Sequence, residues 1–234
     1  MRLDKFISKA TELSRKEAKK VLHASEITVN DEVIKDGSVH VDVDNDEVMW
    51  ASEPLSVATG NRYILLYKPE GFECTLKPKD YPIVTELIAV PEQNRLRIAG
   101  RLDVDTTGAL ILSDDGKWLH RVTSPKHHKP KVYELTLADP MNEDAQAHAV
   151  KQVANGIMLE GDTEKTRPAE LEFIDDTHAR LTLTEGKYHQ VKRMMAYFGN
   201  KVTELHRASI GDITLEGLEK GDSRFLTDEE VAGF

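Results

Sequence analysis

The nine residues Gly100-Arg101-Leu102-Asp103-Val104-Asp105-Thr106-Thr107-Gly108 hold two carboxylates, an arginine and two hydroxyls between bounding glycines. The apolar run that follows, Ala109-Leu110-Ile111-Leu112, is predicted to be a buried strand. A carboxylate at the mouth of such a strand needs a partner or a raised pKa. Once partnered it can act as a nucleophile, a base or an electrostatic stabiliser. On local pattern alone the alternative is a hydrogen-bonded turn, with aspartates and threonines capping backbone groups.

Asp-x-Asp-x-Thr also suits a phosphatase of the haloacid dehalogenase type. That chemistry needs an apolar strand ending on the aspartates, then a lysine followed by an acidic pair to hold magnesium. Arg95-Leu96-Arg97-Ile98-Ala99-Gly100-Arg101 reads as a poor buried strand. Asp114-Asp115 comes too early, and Asp175-Asp176 precedes Lys187 and Lys192. The phosphatase reading is therefore weak.

The elements that must position the loop fall into two groups. Near the N-terminus, Leu3, Phe6 and Ile7 sit at helical spacing. Ser14-Arg15-Lys16-Glu17 is a capping box opening a second helix, in which Ala18, Val21 and Leu22 share a face. Ile27–Val29 and Glu32–Ile34 flank Asn30-Asp31, a hairpin signal lacking the usual glycine. Val39, Val41 and Val43 alternate as a strand, and the module ends near Trp50. Residues 51–61, small and turn-rich, read as a linker. Residues 62–234 read as one α+β domain. Its expected strands are Tyr63–Tyr67, Ala109–Leu112, Val132–Leu137, Ala169–Ile174, Ala179–Thr184 and Val202–His206. The expected helices are Gly116–Val122, Glu143–Ala154 and His189–Phe198. Their irregular alternation predicts a mostly antiparallel sheet with helices packed on it.

Composition, 39% hydrophobic and 31% charged, is that of a globular protein. No apolar run is long enough to span a bilayer, the N-terminus lacks the core of a secretion signal, and the single Cys74 fits a reducing cytoplasm. No Cys/His cluster has zinc spacing, so no metal site is expected. The net charge of −10 argues by itself against a nucleic-acid partner, but the distribution does not. Arg2, Lys5, Lys9, Arg15, Lys16, Lys19 and Lys20 crowd the first twenty residues. Lys117, Arg121, Lys126, Lys129 and Lys131 occupy 116–133 with no acid among them. Lys187, Lys192, Arg193, Lys201 and Arg207 meet only Glu204 in 186–207. Three such runs predict a basic groove on an otherwise acidic surface.

The Asp103 loop closely resembles the signature loop of the ribosomal RNA pseudouridine synthases, and three further segments match the same family. Tyr67-Lys68-Pro69-Glu70-Gly71 resembles its lysine–proline motif, with a structural role. Lys131-Val132-Tyr133 resembles its Lys-x-Tyr segment, and Glu185-Gly186-Lys187-Tyr188-His189-Gln190-Val191-Lys192-Arg193-Met194 resembles its third motif. Arg2-Leu3-Asp4-Lys5-Phe6, Ser14-Arg15 and Val29-Asn30 fall where the S4 RNA-binding domain has its hallmarks. The opening residues, the Asp103 loop and Ser124-Pro125-Lys126-His127-His128 look specifically like the small-subunit subfamily.

The resemblance implies an S4-like module (1–50) ahead of a catalytic domain (62–234) that isomerises a uridine of 16S rRNA, uridine 516, without a cofactor. It implies Asp103 as the catalytic carboxylate, paired with the basic residue after His-Gln-Val. Neighbours on a helix point about 100° apart, so only one of Lys192 and Arg193 reaches Asp103; Lys192 is the choice. Tyr133 is implied to pack on the uracil and help remove its C5 proton, and Arg101 to fill the stack vacated by the flipped base. Arg2, Lys5, Arg15, Lys16, Lys19, Lys126, Lys131 and Arg193 are expected to bind RNA. The expected partner is 16S rRNA or a partly assembled small subunit, met by a monomer in the cytoplasm without a membrane. The alternative is a non-catalytic S4-type RNA-binding or assembly protein.

Overall fold

A computed structural model describes residues 1–11, 13–57, 60–77, 80–123 and 129–234. Ser124–His128, with the expected RNA contact Lys126, lie outside the described residues. The chain divides into two units. One is Met1–Asn61 with Ala89–Arg95, and the other is Arg62–Ile88 with Leu96–Phe234.

In the first unit, helices α1 (Leu3–Ala10) and α2 (Arg15–His23) pack with a four-stranded sheet. Its strands are β1 (Ile27–Val29), β2 (Glu32–Val33), β3 (Val48–Trp50) and β4 (Glu53–Leu55), in the order β2-β1-β3-β4. The Ser14 capping box forms as expected, and Leu3, Phe6, Ile7, Ala18, Leu22 and Ile27 build the core. Asn30 and Asp31 take left-handed backbone, φ 49° and 68°, so the hairpin closes without glycine because Asn and Asp tolerate that region. Two expectations need correction. Val39–Val43 is not a strand: Asp42 instead accepts from the Asp44 N–H and the Asn45 amide, which winds the chain into a turn. Glu53–Leu55, inside the stretch read as a linker, pairs with Val48–Trp50.

The second unit is built on a nine-stranded mixed sheet. Its strands are β5 (Tyr63–Lys68), β6 (Arg97–Ala99), β7 (Thr106–Ser113), β8 (Lys131–Leu137), β9 (Glu170–Phe173), β10 (His178–Leu183), β11 (Val202–Ile210), β12 (Ile213–Thr214) and β13 (Ser223–Phe225). The main path runs β13-β5-β7-β11-β8-β10-β9, with β6 on β7 and β12 on β11. All pairs are antiparallel except β7–β11. The helices are α3 (Gly116–Thr123), α4 (Glu143–Ala154), α5 (Gln190–Tyr197) and α6 (Asp228–Ala232). The segment judged a poor strand supplies β6, which pairs Arg97–Ala99 with Ser113–Ile111. Such a short, charge-rich edge carries little periodic signal.

Every residue of β7 is buried. On one face Ala109 and Ile111 pack with Leu65, Trp118, Leu119 and Val122, seating α3. The acidic pair after β7 is structural. Asp114 accepts from the Arg62 backbone N–H and Nε at 2.7 and 2.9 Å, and Asp115 caps the N–H groups of Lys117 and Trp118. Those carboxylates are committed to protein donors.

Gly108 sits at the β7–β11 seam with φ 120°, and a Cβ there would be forced into the backbone of Arg207. We expect Gly108→Ala to cost at least about 3 kcal/mol, since strand separation adds to the backbone strain. Gly100→Ala, at φ 80° in open space, should cost only about 1 kcal/mol. Urea denaturation of the two variants checks the difference.

Candidate active site

The site begins where the chain leaves β6, turns at Gly100 and enters β7. A buried lysine fixes this turn. Lys68, at the end of β5, is fully buried, and its Nζ donates to the carbonyls of Thr106 (2.8 Å), Pro69 (2.9 Å) and Val104 (3.3 Å). Burial pushes its ammonium below the ordinary lysine value. The Gly71 N–H donates to the Val104 carbonyl, and the Leu102 N–H to the Cys74 sulfur. The lysine–proline segment thus clamps the loop from one side while Leu102 is buried beneath it.

Asp103 and Asp105 are thereby held out toward α5. Lys192 Nζ donates to Asp103 Oδ2 at 3.1 Å and to Asp105 at 2.7 and 2.9 Å. Burial works against the Lys192 ammonium, but its bonds to Asp105 and Asp103 carry it above the ordinary lysine value. Burial likewise opposes ionisation of Asp105, yet the Lys192 ammonium holds its carboxyl below the usual range. A second base meets Asp103: His189 Nε2 lies 3.1 Å from Oδ1. His189 is the N-cap of α5 with left-handed backbone, φ 46°, and its ring stacks on the exposed Tyr188 at 3.8 Å between centroids. A strained non-glycine backbone at a polar cluster is characteristic of functional sites.

Of the two basic neighbours on α5, Lys192 is the one that meets Asp103. Arg193 points away and donates to Asp162 Oδ1, the Glu160 carbonyl and the Tyr188 carbonyl. Lys187 also donates to Asp162. Arg193, expected among the RNA-binding cations, is therefore engaged in anchoring α5. Lys131 is half-buried, pushed down by burial with the Arg207 charge nearby, and donates to the Lys129 carbonyl. It is not an open surface cation. Arg101 is exposed directly before the buried Leu102. In the first unit Lys5, Arg15, Lys16 and Lys19 are exposed, while Arg2 pairs with the buried Asp4 at 2.8 Å.

Tyr133 lies on β8, buried, in register with Arg207 on β11. Arg207 is 2% exposed; its Nε donates to the Ala109 carbonyl at 2.7 Å, and Nη1 lies 3.5 Å from the Tyr133 hydroxyl. His189 and Arg207 were missed as site residues by sequence reasoning. The His-Gln-Val segment carried a signal for His189, since it immediately precedes the helix bearing Lys192. For Arg207, inside a strand, only the basic run pointed to it.

With loop, helix and sheet residue so arranged, the site is a carboxylate held between a lysine and a histidine at the mouth of a buried strand. The sequence pattern of RNA pseudouridylate synthases matches residues 62–197, and that of the S4 domain matches residues 1–48. The chain belongs to the RNA pseudouridylate synthase family, with an N-terminal S4 domain. It is 47% identical to "Ribosomal small subunit pseudouridine synthase A" of Pasteurella multocida, covering 100% of this chain and 99% of that protein. The Escherichia coli K12 protein of the same name is 43% identical, covering 99% of each. A solved pseudouridylate synthase structure superposes with a TM-score of 0.68 at 46% identity, over 100% of this chain and 99% of the other.

The Lys192 bridge has a direct signature. Asp105, lowered in the folded protein, contributes stability above its unfolded pKa and loses it as pH falls through the folded value. Lys192, raised, contributes below its unfolded pKa and loses it only as pH rises through the folded value. The bridge therefore persists across the neutral range. Lys192→Met should move the Asp105 titration to higher pH, read by carboxyl 13C NMR; an unchanged titration would mean the ammonium is elsewhere in solution.

Proposed function

We propose that this enzyme isomerises uridine 516 of 16S rRNA to pseudouridine, with Asp103 as the catalytic carboxylate. The observation that carries this reading is the 3.1 Å pair of Lys192 with Asp103 at the mouth of β7. The name shared by the Pasteurella multocida and Escherichia coli proteins supports small-subunit RNA as the substrate. The division of labour we propose follows the S4-like and catalytic segments, with the reaction run by a monomer in the cytoplasm.

The reaction breaks the C1′–N1 bond, turns the uracil and joins C5 to C1′, so no atom is imported and nothing is oxidised. The electron-poor C1′ calls for a negative group close by, as in retaining glycosidases. Asp103 supplies it, by attack on C1′ or by removing the 2′ proton, and either route needs the ionised carboxylate. Lys192 and His189 orient that carboxylate, and the Lys192 ammonium opposes its charge as RNA excludes water. A paired uridine is out of reach, so it is flipped at a cost of a few kcal/mol. Arg101, exposed beside the loop, fills the gap in the stack. Tyr133 takes the C5 proton that must leave once the new bond has formed. Arg2, Lys5, Arg15, Lys16 and Lys19 of the S4 domain hold phosphates.

A 16S transcript incubated with the protein, with and without ribosomal proteins, and mapped chemically for pseudouridine tests the target. Modification elsewhere, or none, overturns it. Asp103→Asn should abolish turnover while RNA affinity stays within about twofold, and Lys192→Met should lower turnover by on the order of 10²-fold. Lys192→Arg should be milder. The combined Lys5→Gln, Lys16→Gln and Lys19→Gln variant should bind RNA more weakly, with the log–log salt slope shallower by up to about 2. Filter binding across a salt series measures this; an unchanged slope removes these lysines from the interface.

A further inference from the structure

Lys68, Gly108, Arg207 and Tyr133 are register partners across β5, β7, β11 and β8. Register partners project to one face of a sheet, so these residues form a row across four strands. Gly108 contributes no side chain, which leaves the middle of the row open. Arg207 lies across this gap, reaching back to the Ala109 carbonyl on β7 and forward to the Tyr133 hydroxyl on β8. Its second terminal nitrogen, Nη2, is buried and has no hydrogen-bond partner among the described residues.

This is an expensive arrangement for a resting protein. A buried guanidinium ordinarily faces a carboxylate, because an unpaired charge out of water is strongly unfavourable. No carboxylate lies within ion-pair distance of Arg207 among the described residues. Its charge reaches Cys74, on the loop after β5, and Lys131, on β8. Lys131 is another cation, and burial holds the Cys74 thiol in its protonated form. Among the described residues, the neighbour that the guanidinium touches and that could carry a compensating negative charge is the Tyr133 hydroxyl.

We infer that Arg207 is a positioning residue for Tyr133, aiming its hydroxyl at C5 and stabilising the negative charge that develops on its oxygen before the C5 proton arrives. This rests on the base role given to Tyr133 above. In that step C5 is already joined to C1′ and still bears its hydrogen. The Tyr133 hydroxyl gives its own proton to water, charge develops on its oxygen, and the C5–H bond breaks as the C5 proton passes to that oxygen, which ends again as phenol. The electron pair re-forms the C5–C6 double bond, the N1–C6 π electrons return to N1, and N1 takes a proton from water. The idle Nη2 donor is explained, since a phenolate accepts more hydrogen bonds than a phenol. The 3.5 Å contact to Nη1 is then the resting form of a bond that tightens as charge develops.

The test uses full-length protein and two RNA substrates, one with uridine and one with 5-fluorouridine at the target position. The fluorinated base has no C5 proton, so bond cleavage and rejoining occur but proton removal does not. Arg207→Met should lower uridine turnover at least tenfold, and C5-deuterated uridine should then react more slowly than uridine by a larger ratio than in the wild type. Formation of the rejoined fluorinated product should stay within about twofold of wild type, and Arg207→Lys should recover part of the uridine rate. Melting temperature, followed alongside, verifies folding. Equal losses on both substrates by Arg207→Met and Arg207→Lys would mean that Arg207 only supports the fold, and the inference would be overturned. Tyr133→Phe separates the two levels. If it slows uridine while Arg207→Met does not, the inference alone fails; if it is harmless, the base assignment of Tyr133 fails first.

Discussion

The close approach of β7 to β11 is the constraint on which the catalytic unit depends. These are the two parallel neighbours in an otherwise antiparallel sheet, and their backbones meet so tightly at Gly108 that no other residue fits. The seam decides where the Asp103 loop emerges, because β7 starts beside it. It also decides what faces that loop, because β11 carries Arg207 and His206 across the same line. The His206 ring accepts or donates at the Thr107 hydroxyl 2.8 Å away, locking the second residue of β7 to the second strand of the seam. A small displacement there would move a carboxylate, a guanidinium and a tyrosine together.

Around this seam the protein buries charge in an orderly way. Lys68 is tolerated inside because three carbonyls receive its hydrogens, so an ammonium takes over the role of a turn's backbone donors. Arg62 and Asp114 neutralise one another at the far end of β7, where the strand must stop. Lys192 is poised between two carboxylates at the near end. The first two arrangements are rigid fixings of the strand's ends. The last, only partly buried and open on one side, is where a substrate can intervene.

Much of this was legible in the chain. The Asp103 loop, the strand after it, the capping box at Ser14 and the choice of Lys192 over Arg193 followed from spacing, polarity and resemblance. Short elements were not legible. Arg97–Ala99 is stabilised by pairing with β7 and itself begins with a charged residue, and Ala51-Ser52 makes a tight turn from residues that seldom signal one. The Val39–Val43 alternation misled because Asp42 found local donors that competed with a ladder. His189 and Arg207 escaped because their importance lies in what they face. Asp103 and Gly108 are 86 and 99 residues distant from them in the chain, and no local pattern encodes such a meeting.

That separation bears on how the enzyme comes into being. Thr107 meets His206 and Asp103 meets Lys192 only after almost the whole domain has been made, so the seam closes late and slowly, as long-range pairing does. The helices and hairpins of the S4 unit close over much shorter stretches and are complete in the emerging chain well before β11 exists. A nascent or partly unfolded molecule can therefore carry a folded S4 unit while the Asp103–Lys192 pair and the seam are still missing. The seam is completed only with the last long strand, where Gly108 meets Arg207 and Thr107 meets His206 together.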